Sequence, residues 1–268
     1  MTVSGGTHAE FIGEPGRRLF VLLRTPGGVN GECTLVVPPF AEEMNKCRRL
    51  VTEYAQHECR QGRGVLCVDL AGTGDSEGEF SAARVDRWLG DLACAAAWSA
   101  SRGWRVTGAL GIRLGAILAA SLVVAHKFEL SRVLLWQPVT SGARMIDQFL
   151  RLRVMAARME SGANETVGAL RASLQARETV QVAGYALSGA LVSDIDALDL
   201  VAALALPFPP IRWFDIVADT NAHVAPGTQR ILDSLRAKGL RIEHTQVAGE
   251  PFWMATEFVK NPTLVAAS

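Results

Sequence analysis

The sequence has no excess charge of either sign: 27 lysine and arginine residues face 27 aspartate and glutamate residues across 268 positions, a formal net charge of zero. No global field therefore draws the chain to nucleic acid or to an anionic membrane surface, and neither is an expected partner. Cysteine is scarce and unpatterned. Cys33, Cys47, Cys59, Cys67 and Cys94 form an odd set with no Cys-x-x-Cys and no metal spacing with histidine, which points to reduced, mostly buried thiols and a cytoplasmic setting. Long apolar runs are missing too. The best window, Ala109 to Ala125, carries Arg113 and is too short for a confident bilayer span. Met1-Thr2-Val3-Ser4-Gly5-Gly6 lacks the basic stretch and apolar core of a secretory signal. The chain also lacks repeats, low-complexity tracts and flexible linkers.

What is present is a rhythm of short apolar strands and amphipathic helices. Arg18 to Arg24 reads as a strand broken by Pro26-Gly27-Gly28, and Cys33 to Val37 as a second strand closed by Pro38-Pro39. Helical spacing follows over Lys46 to Arg60, then a strand over Gly64 to Leu70, a helix over Arg84 to Arg102 and a strand over Arg105 to Leu110. Leu114 to Lys127 is a further helix and Arg132 to Trp136 a further strand. Strands without polar alternation, separated by helices, predict a mostly parallel sheet covered on both faces. From Ser141 to about Leu206 the strand signal disappears and helical spacing takes over, with Gly162 and Gly184 as breaks. Ile211 to Val217, Gly227 to Lys238, Leu240 to Val247 and Phe252 to Lys260 then restore the alternation, ending on a closing helix. The expected division is a core over residues 1–140, a helical cap insertion over 141–206, and the rest of the core over 207–268.

At the turn from the strand ending at Leu110 stands Gly111-Ile112-Arg113-Leu114-Gly115. The two glycines have the spacing of a G-x-S-x-G nucleophile elbow, whose sharp strand-to-helix turn tolerates little bulk beside its central residue. Here the centre is Arg113, a permanent cation with donors only, which cannot attack a carbonyl. The loop Pro38-Pro39-Phe40-Ala41-Glu42-Glu43 and the loop Asp69-Leu70-Ala71-Gly72-Thr73-Gly74-Asp75-Ser76 stand where two further active-site loops are expected.

These three loops, in this order, resemble the α/β-hydrolase superfamily, in particular capped serine hydrolases of the acylglycerol-lipase and aminopeptidase type. A closer resemblance is to the type 2 hydrolase associated with the exosortase A system, found beside exopolysaccharide and protein-sorting genes in bacteria. It is carried by Pro38-Pro39-Phe40-Ala41-Glu42-Glu43-Met44-Asn45-Lys46, Gly111-Ile112-Arg113-Leu114-Gly115, Trp136-Gln137-Pro138-Val139 and Gly249-Glu250-Pro251-Phe252-Trp253. The resemblance implies an α/β-hydrolase fold with a helical cap. It also places the triad acid near Asp219 and Asn221-Ala222, and the triad histidine where Glu250 stands. Nucleophile and base, and with Asn221 the acid, are therefore replaced.

Backbone positions that bear a nucleophile and its base lie close together whatever side chains they carry. Arg113 is therefore expected to pair with Glu250, joined by Glu42 or Glu43, because a lone buried cation would cost several kcal/mol, the order of an unpaired ion. Such a cluster either staples the elbow to two loops or holds a small anionic ligand in a cap-covered pocket. Phe40 and Leu114 contribute backbone N–H donors to that pocket, and Asn45, Gln137 and His223 are further ligand-binding candidates. A rival reading is a true hydrolase of an ester, thioester or amide in which Glu42, Glu43 or Glu250 activates water. A third is an interaction module whose cap, with Arg144, Arg151, Arg153 and Arg158 near helical spacing, meets a protein partner or a second copy. No metal or cofactor is expected. His244, mid-strand, reads as structural.

Overall fold

The computed structural model describes residues 6–27, 30–162 and 164–268, so the segment read for a signal, apart from Gly6, and Gly28 of the first turn lie outside the described residues. The strands are β1 (Gly6–Ile12), β2 (Leu19–Thr25), β3 (Gly31–Val37), β4 (Gly64–Val68), β5 (Trp104–Ile112), β6 (Arg132–Trp136), β7 (Thr179–Val182), β8 (Tyr185–Ser188), β9 (Ile211–Val217) and β10 (Ile242–Ala248). The helices are α1 (Glu42–Arg60), α2 (Val85–Ser101), α3 (Gly115–His126), α4 (Gly142–Ser161), α5 (Val167–Gln175), α6 (Gly189–Asp196), α7 (Leu200–Ala203), α8 (Pro226–Ala237) and α9 (Pro262–Ala267).

Eight strands form one sheet in the order β1-β2-β4-β3-β5-β6-β9-β10. The pairs β1/β2 and β2/β4 are antiparallel and the rest parallel. Successive side chains of a strand point to opposite faces, so a strand covered on both faces must be apolar throughout. In β6, Val133 and Leu135 enter one core and Leu134 and Trp136 the other. The first core is closed by α2, α3 and the segment inserted between β6 and β9, the second by α1 and α9. Helix α3 is buried over most of its surface and has no polar face, as a helix packed behind a strand-to-helix turn requires.

Two expectations need correction, and one strand was not expected at all. The strand β1 carries no apolar run because it is exposed along most of its length at the sheet edge, so neither periodicity nor composition marks it. The insertion between β6 and β9 is not purely helical. Within it Thr179–Val182 and Tyr185–Ser188 pair as an antiparallel hairpin, joined by Ala183 and Gly184 with φ of 48° and 86°. Two consecutive left-handed residues form the tight turn that suits the twist of paired strands; four-residue strands are too short to register as a period of two. The break at Gly162 is the left-handed cap of α4, with φ of 67°. Finally, Phe252 to Lys260 is not a helix. The closing helix begins ten residues later, where Asn261 Oδ1 accepts from Leu264 N at 2.9 Å and Pro262 occupies the first turn. Phe252 and Trp253 are buried instead as a turn against the second core.

Among the described residues no helix is long and apolar enough to cross a membrane.

Candidate functional site

The carboxyl ends of β3 and β5 lie side by side, with Val37 opposite Gly111 in register. The turn after β5 can therefore touch the loop after β3 only if nothing projects between them. A Cβ on Gly115 would stand 2.5 Å from Pro38 O, and one on Gly111 would stand 2.6 Å from Ala116 Cα. Those glycines let Arg113 occupy the tip with φ of 55°, a left-handed conformation that costs a non-glycine residue on the order of 1–3 kcal/mol. The surroundings hold it there: Arg113 N donates to Trp136 O at 3.0 Å and its carbonyl accepts from Val139 N at 3.2 Å. Ala41 and Gln137, which flank it, also have positive φ, 52° and 43°. Three strained non-glycine residues thus meet at one spot, a pattern associated with functional sites.

Arg113 is 9 % exposed. Its Nε donates to Glu43 Oε1 at 3.2 Å, and its terminal nitrogens reach only Gln137 O at 3.4 Å and Gln148 Oε1 at 3.5 Å. The guanidinium carbon lies 4.7 Å from the ring centroid of Trp253, so an indole face covers the cation. Glu43 sits in the first turn of α1 and is itself buried. Its second oxygen, Oε2, has no hydrogen-bond partner among the described residues, and the same holds for Glu42 Oε2. Burial pushes the Glu43 carboxyl up to about 7 in spite of Arg113, which pulls the other way. The geometry agrees with that balance, because one single hydrogen bond is a poor substitute for the hydration of a carboxylate.

The expected partner Glu250 does not join Arg113. It is exposed, and among the described residues the carboxyl that pairs with Arg113 is that of Glu43. The physical reason lies in the sequence of the turn: Phe252 and Trp253 take the interior beyond β10 and leave Glu250 to solvent. Glu42 makes no bond to Arg113; burial raises its carboxyl above the ordinary range, with Lys46 opposing. Asn45 is exposed and accepts from Arg48 Nε at 3.3 Å. Gln137 spends its side-chain oxygen on Ile216 N at 2.6 Å, which ties β6 to β9. His223 is exposed, and Asp219 is engaged in a local turn with Asn221. His244 Nε2 lies 3.0 Å from Asp215 Oδ2, and Asp215 also accepts from Trp213 Nε1 at 2.7 Å, on the strands β9 and β10 beyond β6 rather than at the elbow itself.

Phe40 and Leu114 do stand together, and neither backbone N–H donates to a protein group among the described residues. The space beside them is nearly filled. The cavity they share with Ala41, Met44, Thr73 and Trp88 measures about 10 Å³, at or below what one water needs. It is closed by an aromatic cluster: the Phe40 ring lies 5.1 Å from Phe149 of the cap and 5.7 Å from Phe80, which lies 4.8 Å from Tyr185. Sequence reasoning assigned no role to Trp253 or Gln148. Trp253 belongs to a segment whose resemblance was visible, whereas nothing in the sequence marks Gln148, whose place follows only from how α4 crosses the elbow. Among the described residues no group of three His, Cys, Asp or Glu side chains is gathered to hold a metal ion.

No protein-family profile and no curated relative matches the chain. Solved structures do. Ferulic acid-bound Est1E from Butyrivibrio proteoclasticus superposes with a TM-score of 0.66 at 12 % identity, covering 97 % of this chain and 96 % of that one. A putative hydrolase from Agrobacterium vitis gives 0.56 at 19 % identity over 91 % and 90 %. An esterase of Pyrococcus furiosus gives 0.57 at 14 % over 92 % and 83 %. At such identities the likeness establishes the architecture, an α/β-hydrolase fold with a mostly parallel sheet, and leaves the chemistry to the residues of this chain.

Proposed function

We propose that this chain uses the α/β-hydrolase scaffold as a pseudoenzyme, to bind a small anion at Arg113 rather than to run serine hydrolysis. The observation that carries the reading is the half-satisfied guanidinium. Among the described residues one of its donors has a close partner, a carboxyl whose pKa is raised to about 7, and its terminal nitrogens make only a 3.4 Å contact to Gln137 O and a 3.5 Å contact to the exposed Gln148. A carboxylate or phosphate oxygen would bind those donors better than two amide oxygens at that length. Trp253 orients the guanidinium plane, and the covered site strengthens the attraction to a fixed anion.

The test is a calorimetric titration with acetate, succinate and inorganic phosphate, alongside a serine-directed fluorophosphonate probe. Saturable anion binding that is lost in Arg113→Met, with no labelling by the probe, supports the reading. Stoichiometric labelling, or binding indifferent to Arg113→Met, refutes it.

A second reading is favoured by one observation, the free N–H groups of Phe40 and Leu114 beside a carboxyl whose pKa is suited to general-base work. On that reading Glu43 activates water against an ester, thioester or amide, and turnover of p-nitrophenyl acetate disappears in Glu43→Gln. A third reading, a protein-interaction cap, is supported by Arg144, Arg151 and Arg158, exposed on α4 beside Met155 and Met159. The physiological setting we propose, cytoplasmic and beside bacterial exopolysaccharide and exosortase genes, rests on the resemblance of the four segments quoted above and on the cysteine pattern.

A further inference from the structure

Behind the first turn of α1, which carries Glu43, and on the α1 side of the sheet lies a second and much larger cavity. It measures about 180 Å³ and is bounded by β2, β3, β4 and α1. Its walls are Leu22, Val36, Met44, Cys47, Val51, Cys67 and Val68, all apolar or thiol, and Arg48, Thr52 and Asp69 stand among its polar lining. Burial pushes the Cys67 thiol up to about 12 and the Cys47 thiol well above its ordinary range, so both behave as neutral apolar groups at physiological pH.

The polar lining has an uneven valence. Asp69 is 11 % exposed in its side chain and already accepts from Arg48 and from Asp75 N. Arg48 is 45 % exposed in its side chain; its Nε is bonded to Asn45 Oδ1 and one terminal nitrogen to Asp69. Its other terminal nitrogen makes no bond among the described residues, leaving N–H donors at the rim with no acceptor there to answer them. Thr52 donates its hydroxyl to Arg48 O.

We propose that this cavity is a binding site for a short linear amphiphile with an acidic head, an acyl chain of about six carbons whose carboxylate sits on Arg48. The size follows from the volume: at ~30 Å³ for a water-sized group, the cavity takes about six methylenes. The head follows from the unspent donors of Arg48. The site is separate from Arg113 but shares a wall with it, because Met44, Pro38 and Pro39 line both this cavity and the narrow space beside Phe40 and Leu114. A tail that fills the cavity therefore presses on the residue next to Glu43.

The experiment is a titration of the full chain with butanoate, hexanoate, octanoate and decanoate, with hexanol and hexylamine as head-group controls. Affinity rises about three- to fourfold per methylene while the tail is being buried, and levels off near six to eight carbons. Hexanoate binds more tightly than hexanol, and hexylamine most weakly. In Arg48→Gln the hexanoate preference over hexanol collapses while the chain-length slope remains. Val51→Phe, which fills the cavity, weakens hexanoate at least tenfold. No saturable binding of any acid, a slope that continues unbroken to decanoate, or hexylamine equal to hexanoate overturns the proposal. The wild-type series decides it even if Val51→Phe does not fold. Arg113→Met serves as the discriminating control: it abolishes acetate binding at the elbow, and with it any hexanoate bound there, and leaves the chain-length slope and the Arg48-dependent preference for hexanoate over hexanol in place.

Discussion

Arg113 Nε and Glu43 Oε1 lie 3.2 Å apart inside the protein, yet the other oxygen of the same carboxyl has no hydrogen-bond partner among the described residues. The pair is lopsided. The cation has an aromatic cover and three oxygen contacts, whereas the acid has one contact and is the member that gives up its charge. That asymmetry sets the pH behaviour of the site.

The Glu43 carboxyl is raised in the folded protein to about 7, above its unfolded value of 4.5. Between those values the native state holds more protons than the unfolded state, so its contribution to stability is present below pH 4.5 and is lost as pH rises through 7. The melting temperature of the wild type is expected to fall from pH 5 to pH 8. In Glu43→Gln that fall is reduced, and melting curves of the two proteins across this range measure the difference. An unchanged pH dependence in Glu43→Gln contradicts the assignment.

Removing the cation has a pH-dependent cost. Arg113→Ala is expected to destabilise the fold by about 3 kcal/mol at pH 8, where Glu43 must either carry a buried charge without a partner or take up a proton against the pH. At pH 5 the carboxyl is neutral and the loss is expected to be about half as large. Denaturant unfolding at the two pH values makes the comparison; equal losses would show that charge on Glu43 is irrelevant.

Trp253 covers the guanidinium and packs against Phe252, with ring centroids 5.2 Å apart. Trp253→Ala is expected to cost about 3–5 kcal/mol through lost burial and cavity formation. Trp253→Phe should retain most of the packing and lose about 1 kcal/mol. Glu250→Gln, on an exposed side chain, should stay within about 0.5 kcal/mol of wild type. Urea unfolding of all three ranks the turn after β10 by what is buried.

The elbow depends on the missing side chain at Gly115. Gly115→Ala is expected to lose about 2–3 kcal/mol, because the new methyl would press on the backbone oxygens of the loop after β3. Gly227→Ala, in α8 with open space around it, should be neutral or slightly stabilising. Thermal unfolding of the pair separates crowding at the elbow from a general intolerance of the extra methyl.

The sheet was legible because its central strands are apolar on both faces, which leaves a continuous run in the sequence; Arg132–Trp136 and Ile211–Val217 have the expected bounds. The exposed edge strand β1 and the cap hairpin have no such run and were invisible. At the site, glycine spacing disclosed the elbow and the exchange of serine for Arg113. The partner was misjudged because analogy with a triad assigns it to the turn after β10. Competition for the interior decides otherwise: Phe252 and Trp253 displace Glu250 outward, and Glu43 reaches the cation from the first turn of α1. Which of two adjacent glutamates turns inward is set by helix phase, which a single sequence does not state.

The rings of Phe40, Phe80, Trp88, Phe149 and Tyr185 interlock the segment between β6 and β9 with the rest of the chain, and Arg84 and Asp194 clasp the same seam at 2.5 Å. A lid that swings on a hinge needs a wet, slippery boundary, and this one is greasy and bolted. Opening of the insertion as a body would have to part those contacts, and amide exchange in α4 and α6 is the measurement that reads how often it does.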